Sequence, residues 1–417
     1  MTANLGRDFR LFWAGETISL FGTQVTTLAL PLTAVLVFDA GPGQVGLLRF
    51  LQLVPYLIGA LPVGVWVDRV RRRPVMLGAN LARLILIGLV PVLSWSGLLE
   101  LPLLLVIGCA IGIASMVFDV SWMSYVPTVV GDRKALVQAN ARLAVSASSA
   151  DAAGPALGGA LVGALTAPTA MLFDALSYAV SIVSLGLIRA PETAPERAAD
   201  RQLSTELRQG LSWVFGNRYL RYIALIGFAC NFFVIANSTI FVLYAVRSRN
   251  LTPGELGLVL SVAGACAVVG AAVAGAGIAR FRLGLTYRLA MAAVFLTPIV
   301  IPVAGGPKPL LIVTFMIGLG AGYFAMAIAN LLILTVRQTL TPDPLMGRMS
   351  AAMRMLLFGG GSMGGPVGGA LAALVGLRPA LAVLATGSAL MLIPVLLSPV
   401  GRLREMPKSA VAEPVAG

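Results

Sequence analysis

Long apolar stretches recur along this chain, each closed by a short cluster of charged, glycine and proline residues. Breaking it at those clusters leaves twelve segments, at about 11–38, 44–67, 74–96, 101–127, 137–165, 168–188, 221–246, 255–279, 285–304, 309–336, 347–375 and 378–399. Each is close to or above the ~20 residues that an α-helix needs to cross the hydrocarbon core of a bilayer. In hydrocarbon every backbone polar group must find its partner internally, and Gly- and Ala-rich runs of this length suit helices rather than barrel strands. The pattern predicts an all-α membrane protein with twelve transmembrane helices. The first run is too long for the core of a signal peptide and lacks a processing site, so it is expected to remain as the first helix.

The pattern is written twice. A shift of 211 residues lays Pro42-Gly43 and Gly46-Leu47 on Pro253-Gly254 and Gly257-Leu258, Gly64 on Gly275, Arg69 on Arg280, Pro91 on Pro302, and Gly154-Pro155 on Gly365-Pro366. A constant offset over so long a stretch predicts two parallel six-helix bundles, 1–189 and 219–400, related by an axis along the membrane normal. A cytoplasmic linker, 190–218, joins them, and a cytoplasmic tail, 401–417, follows. In the linker Leu207, Leu211, Val214 and Phe215 form one apolar face behind Ser204. They predict a short amphipathic helix, capped by that serine, lying on the cytoplasmic surface.

Composition agrees with this and narrows the chemistry. Hydrophobic residues make up 58% of the 417 and charged residues 11%, against roughly 25% charged in a soluble chain. The basic residues are distributed unevenly: with a cytoplasmic N-terminus, 22 of the 30 fall in inside segments and four (Arg247, Arg249, Lys308 and Arg378) outside. This asymmetry places both termini in the cytoplasm, and it accounts for most of the net charge of +13 without invoking nucleic acid. The absence of histidine excludes Ser-His-Asp triads and HExxH zinc sites. The three lysines complete no phosphate-binding loop, and Cys109, Cys230 and Cys266 are isolated within apolar runs. No enzyme activity, cofactor or metal is expected.

The charged cluster in GVWVDRVRRRP, residues 64–74, sits between the second and third predicted helices. It resembles motif A of the major facilitator superfamily, G-x-x-x-D-[RK]-x-G-[RK]-[RK], with Arg71 where the motif has glycine. SSADAAGPALGGAL on the fifth helix resembles the antiporter motif, through Gly154, Pro155, Gly158 and Gly159. FRLFWAGETISLFGTQVTTLALPL and FDALSYAVSIVSL resemble the branch that holds macrolide-efflux and enterobactin-export proteins. The resemblance implies a twelve-helix carrier in which Gly64, Asp68, Arg69, Arg72 and Arg73, with Arg280 from the second half, close the cytoplasmic side. Gly64 would permit a close helix approach, and Asp68 would sit near Gly347 at the start of the eleventh helix, where the helix dipole favours an anion by ~0.3–1 kcal/mol. Pro155 invites a kink, and the glycines around it offer a surface almost without side chains.

Four carboxylates lie within the spans of the first half, Glu16, Asp119, Asp151 and Asp174; the second half has none beyond Glu255 at the very start of a span, with Gly227, Asn330, Ser362 and Ala385 at the equivalent positions. An ionised carboxylate at a helix centre costs roughly 2.5–3.5 kcal/mol, so such groups have partners or roles. They are the candidates for proton coupling, with Arg83 and Arg142 as their candidate intramembrane partners. The superfamily resemblance assigns the first, fourth, seventh and tenth helices to the substrate cavity. There Phe12, Trp13, Phe21, Trp122, Phe232, Phe233, Tyr323 and Phe324 supply aromatic surface, and Asn231, Asn237 and Asn330 polar contacts. That mixture suits an amphipathic or cationic ligand better than a sugar. The expected function is proton-coupled efflux of a drug-like or siderophore-like molecule from an inner-membrane monomer. A proton symporter of the same fold and a non-transporting module such as a lipid scramblase are the alternatives.

Overall fold

The computed structural model describes residues 6–130, 133–192, 203–280 and 282–403, with the backbone alone at 133–134, 203–204, 276–280 and 343. Among the described residues there is no β-strand. The first repeat comprises α1 (Arg7–Val37), α2 (Pro42–Val67), α3 (Arg72–Trp95), α4 (Leu101–Val130), α5 (Arg133–Ala164) and α6 (Ala167–Leu187). A short helix, α7 (Leu203–Gly216), precedes the second repeat. That repeat contains α8 (Arg218–Leu243), α9 (Pro253–Arg280), α10 (Leu283–Leu296), α11 (Val300–Val303), α12 (Lys308–Leu340), α13 (Asp343–Val375), α14 (Leu377–Leu390) and α15 (Leu392–Leu397).

The internal repeat is visible in the chain's local geometry. Helices begin at Arg7 and Arg218, at Pro42 and Pro253, and at Arg72 and Leu283, each pair separated by the same 211-residue offset. Asp39 and Asn250, again equivalent, are the two non-glycine residues with positive φ among the described residues, at 49° and 51°. Each closes the helix before it, and the next amide (Ala40 or Leu251) returns 2.9 Å to the carbonyl six residues back, Ala34 or Ala245. Asp and Asn are the side chains that enter the left-handed region at least cost, so both repeats use one residue type for one turn.

Ten of the predicted spans are helical, long and apolar enough to cross a membrane. The other two, α5 and α13, are repeat equivalents of 32 and 33 residues whose glycine, serine and charged residues lower their hydropathy. Two spans expected to be single helices are interrupted. The ninth passes through a 3₁₀ turn, Thr297–Ile299, between α10 and α11, and the twelfth breaks at Met391 between α14 and α15. Pro298 and Pro394 lack the amide that would continue the helical ladder there. Pro155 produces no such break, and α5 runs through it.

Two compact units are resolved, Met1–Arg201 with Ala245–Ser261, and Gln202–Tyr244 with Val262–Gly417. In the first, α1 packs on α5 and α6, α3 on α4 and α6, and α2 on α4. In the second, α8 packs on α13 and α10 on α12. The linker helix differs from expectation. It begins at Leu203, so Ser204 lies within its first turn rather than capping it. Leu207, Leu211 and Val214 join the second unit's core with Met349, Ala352 and Met353, while Phe215 stays more exposed. Gly210 meets the Arg348 backbone directly, which lets α7 lie flat on α13; protein, rather than lipid, covers its apolar face.

Candidate functional site

Inside the first unit, four helices of the bundle bring charged side chains into one buried region. Glu16 on α1, Arg83 on α3 and Asp174 on α6 are 9%, 4% and 0% exposed. Glu16 lies in the fields of Arg83 and Asp119, and Asp174 in that of Arg83. Arg83 donates to the Oδ1 of Asn80, one turn earlier, and Asn80 Nδ2 donates to Ser181 Oγ at 2.9 Å. The guanidinium is stacked between two rings, 4.0 Å from the Phe118 centroid and 4.4 Å from that of Tyr178. Tyr178 shares a hydrogen bond of 2.9 Å with Thr23, and Asp174 accepts from Ser177 Oγ at 3.1 Å. At the more exposed edge Tyr56 donates to Asp119 at 2.6 Å. The predicted candidates Glu16, Asp119 and Asp174 thus belong to one cluster. Gly22 allows it to form, since a Cβ there would lie 2.5 Å from Asp174 Oδ1.

Asp151 is placed differently. It is exposed and accepts a hydrogen bond from Gln24 Nε2 on α1. Arg142 does not join the carboxylates either: its guanidinium lies 5.7 Å over the Trp13 ring, and Trp13 donates to Ser146 at 2.9 Å.

The antiporter-like segment is a packing surface on two sides. Gly154 and Gly158 meet Gln24, Val25 and Leu28 of α1. A Cβ on Gly159 would fall on the Pro253 carbonyl oxygen and 3.0 Å from Gly257 Cα. Reciprocally, a Cβ on Gly257 would fall on the Pro155 carbonyl oxygen and 2.9 Å from Gly159 Cα. Next to the proline, the Ala156 amide donates to Ser261 Oγ at 2.7 Å. These contacts, with an Arg247–Asp39 ion pair, are why the stretch Ala245–Ser261 groups with the first unit.

In the motif A loop Asp68 ends α2 and lies 4.0 Å from Arg72, one turn on. Arg69 is exposed, and the Arg280 side chain lies outside the described residues. Gly64 is roomier than expected, as a Cβ there meets only Val120, at 3.9 Å. The tight passage between α2 and α4 is at Gly112, which faces the Gln52 backbone. Arg73 donates to the Leu185 and Gly186 carbonyls, at 2.8 and 2.6 Å, and so caps the end of α6. Glu192, which motif reading missed, accepts from the Arg72 and Arg73 amides at 2.5 and 3.1 Å and caps the start of α3. Arg71, the residue before that helix, makes no side-chain cap. Glu192→Ala is expected to cost ~0.5–2 kcal/mol, the usual range for a lost N-cap; a thermal midpoint equal to the parent's would contradict it.

Of the cavity candidates, Phe21 and Trp122 are half-buried in the first unit. Phe12 is core, 5.9 Å edge-on to Tyr125. In the second unit Asn231 and Asn237 donate to carbonyls of their own helix, at 3.0 and 2.8 Å, and Asn237 is buried. Phe232 and Phe233 meet edge-to-face at 5.1 Å, Phe324 is half-buried, and Tyr323 and Asn330 are exposed.

The sequence model described as Major Facilitator Superfamily matches residues 12–365. The chain belongs to the major facilitator superfamily. It is 26% identical over 400 residues to the multidrug efflux pump Tap of Mycolicibacterium fortuitum, covering 92% of this chain and 93% of that one. It is 24% identical over 413 residues to the protein of the same name in Mycobacterium tuberculosis H37Rv, covering 94% and 95%. Solved structures share the fold. The nucleoside transporter NupG has a TM-score of 0.76 at 10% identity over 94% of this chain and 99% of that one. A bacterial homologue of the iron transporter ferroportin has a TM-score of 0.73 at 15% identity over 93% and 98%. This major facilitator protein is therefore a multi-pass membrane transporter of small molecules, and not an enzyme.

Proposed function

We propose that this transporter exports an amphipathic or cationic drug-like molecule across the plasma membrane in exchange for protons, by alternating access. It acts as a monomer with both termini in the cytoplasm; 1–189 and 219–400 are its two moving halves, 190–218 their linker and 401–417 a tail. The observation that carries this reading is the burial of Glu16, Arg83 and Asp174 within the spans of one unit, with Asp119 bonded to Tyr56 at its exposed edge. Buried ionisable groups are costly in a membrane, and a cluster of them with an edge open at Asp119 is the equipment of a proton relay. Export of drug-like molecules is supported by relatives named multidrug efflux pumps over nearly the full chain. Gly64, Asp68, Arg69, Arg72, Arg73 and Arg280 form the cytoplasmic gate. Phe21, Trp122, Asn231, Phe233, Asn237, Tyr323 and Asn330 remain the candidate substrate contacts.

Accumulation of ethidium in inverted vesicles under an acid-inside pH gradient tests the proposal. The parent is expected to accumulate the dye. Glu16→Gln is expected to slow gradient-driven uptake about a hundredfold, the low end for a lost proton-transferring side chain. Asp151→Asn keeps an acceptor for Gln24 and is expected to retain most of the rate. Undiminished uptake by a folded Glu16→Gln protein would remove the buried cluster from the relay. Accumulation by the parent that ignores the gradient would end the exchange reading.

A further inference from the structure

We propose that the second unit carries a site for one anionic glycerophospholipid, with an acyl chain lying in a groove between α11 and α14 and the phosphate at Arg378.

The groove follows from the broken ninth span. Pro298 and Pro302 bring no amide to the helical ladder, and the span finishes as a 3₁₀ turn and a single turn of α-helix. Opposite it α14 presents Pro379, Ala382, Ala385 and Thr386, at the spacing of one helix face and all with short side chains. A cavity of about 560 Å³ lies between the two elements, a volume ordinary for a small-ligand site. Its walls are tied together at two depths. Arg378 Nε donates to the Pro302 carbonyl at 2.9 Å, and further along α14 Ser388 Oγ donates to that of Phe295 at 3.0 Å.

The groove opens sideways. Ala385 is 2% exposed and forms its floor, whereas Val303 is 70% exposed and Ala382 and Thr386 are exposed along its rim. Leu296, Val383 and Leu390 on the same helices are exposed as well, as apolar side chains are on a lipid-facing surface.

Polarity changes with depth. The Thr386 hydroxyl donates to the Ala382 carbonyl at 2.8 Å and is satisfied within α14, so the deep end is apolar. At the mouth Arg378 is exposed, and its bond to Pro302 fixes the guanidinium there. Among the described residues Arg378 has no carboxylate partner, and its two NH₂ groups have no acceptor. A planar fork of this kind suits the oxygens of a phosphate. Lys308 begins α12 at the same end of the unit, and the connections there, 304–307 and Gly376, contain no acidic residue.

The length also fits. From Arg378 to Thr386 the groove follows α14 for ~12 Å at 1.5 Å per residue, close to the ~15 Å of one leaflet. A ligand anionic at one end and apolar for nearly a leaflet's depth is a phospholipid. Free phosphate has nothing to place in the groove, and Arg378 repels a cationic drug.

The test uses the full-length protein in phosphatidylcholine vesicles holding a trace of phosphatidylglycerol with a photoreactive group midway along one acyl chain. After illumination, peptide mass spectrometry locates the label. The probe is expected to mark 299–303 and 378–386 about fivefold more heavily than the same photoreactive chain on phosphatidylcholine, the preference given by ~1 kcal/mol per basic residue. Arg378→Gln should bring the two probes level, and Arg378→Lys should keep most of the difference. Ala382→Phe fills the groove and should lower labelling of both segments by both probes. In the parent, about 1 M salt should remove most of the preference, because an exposed charge is screened; this reading decides the matter if Arg378→Gln does not fold. Equal labelling by the two head groups in the parent would overturn the site, as would a preference that survives Arg378→Gln or high salt. Labelling that Ala382→Phe leaves unchanged would also overturn it, by showing bulk lipid alone.

Discussion

Valine at Gly159 or Gly257 is expected to abolish gradient-driven transport and lower the thermal midpoint of the purified protein by about 2–8 °C, as overpacking of ~1–3 kcal/mol would. At each position the added Cβ would overlap a backbone carbonyl oxygen, that of Pro253 in one case and of Pro155 in the other. A flexible side chain can move aside, but a helix backbone moves only by shifting the whole helix. The shift would also strain the hydrogen bond from the Ala156 amide to Ser261. Gly163→Val is the control, because nothing lies within 4 Å of a Cβ at that glycine on the same helix. Melting curves of the three variants by fluorescence-detected size exclusion decide the matter. A Gly159→Val midpoint equal to that of Gly163→Val would mean that the contact between α5 and α9 is not under compression.

Asn80→Leu is expected to have the second large effect, a loss of ~3 kcal/mol or more, because it strips a buried guanidinium of its acceptor among the described residues and Ser181 of its donor. The side chain is wholly buried, so no water replaces the amide. A second substitution separates the cost of the orphaned charge from that of altered packing. Adding Arg83→Met to Asn80→Leu removes the charge, and the double variant should recover much of the lost stability while remaining inactive. Non-additivity of this kind is expected for residues in one network. If the double variant is less stable than Asn80→Leu, the guanidinium is held mainly by Phe118 and Tyr178.

Much of this was legible along the chain. The apolar runs, the 211-residue repeat and the motif A loop located the helices and the family, because hydrocarbon allows few backbone solutions and punishes stray charge. The intramembrane carboxylates were visible for the same reason. Their grouping was not. Asp151 stands apart from Glu16, Asp119 and Asp174, although all four share one sequence signature. Arg83 could be read as a partner for carboxylates, but not as one held by an amide and two rings.

The sequence by itself determined which segments are helical, that they come in two repeats, and which residues carry charge into the membrane. Those properties depend on composition within one helix and on the surrounding solvent. Only the tertiary structure decided that Arg73 closes α6, that Glu192 caps α3, that α7 lies on protein, and that Arg83 stacks between Phe118 and Tyr178. Each of these depends on the rotation and depth of one helix against another. In a chain where lipid-facing and core-facing positions are both apolar, helical spacing leaves that rotation undetermined, and contacts at glycines and single polar side chains select it.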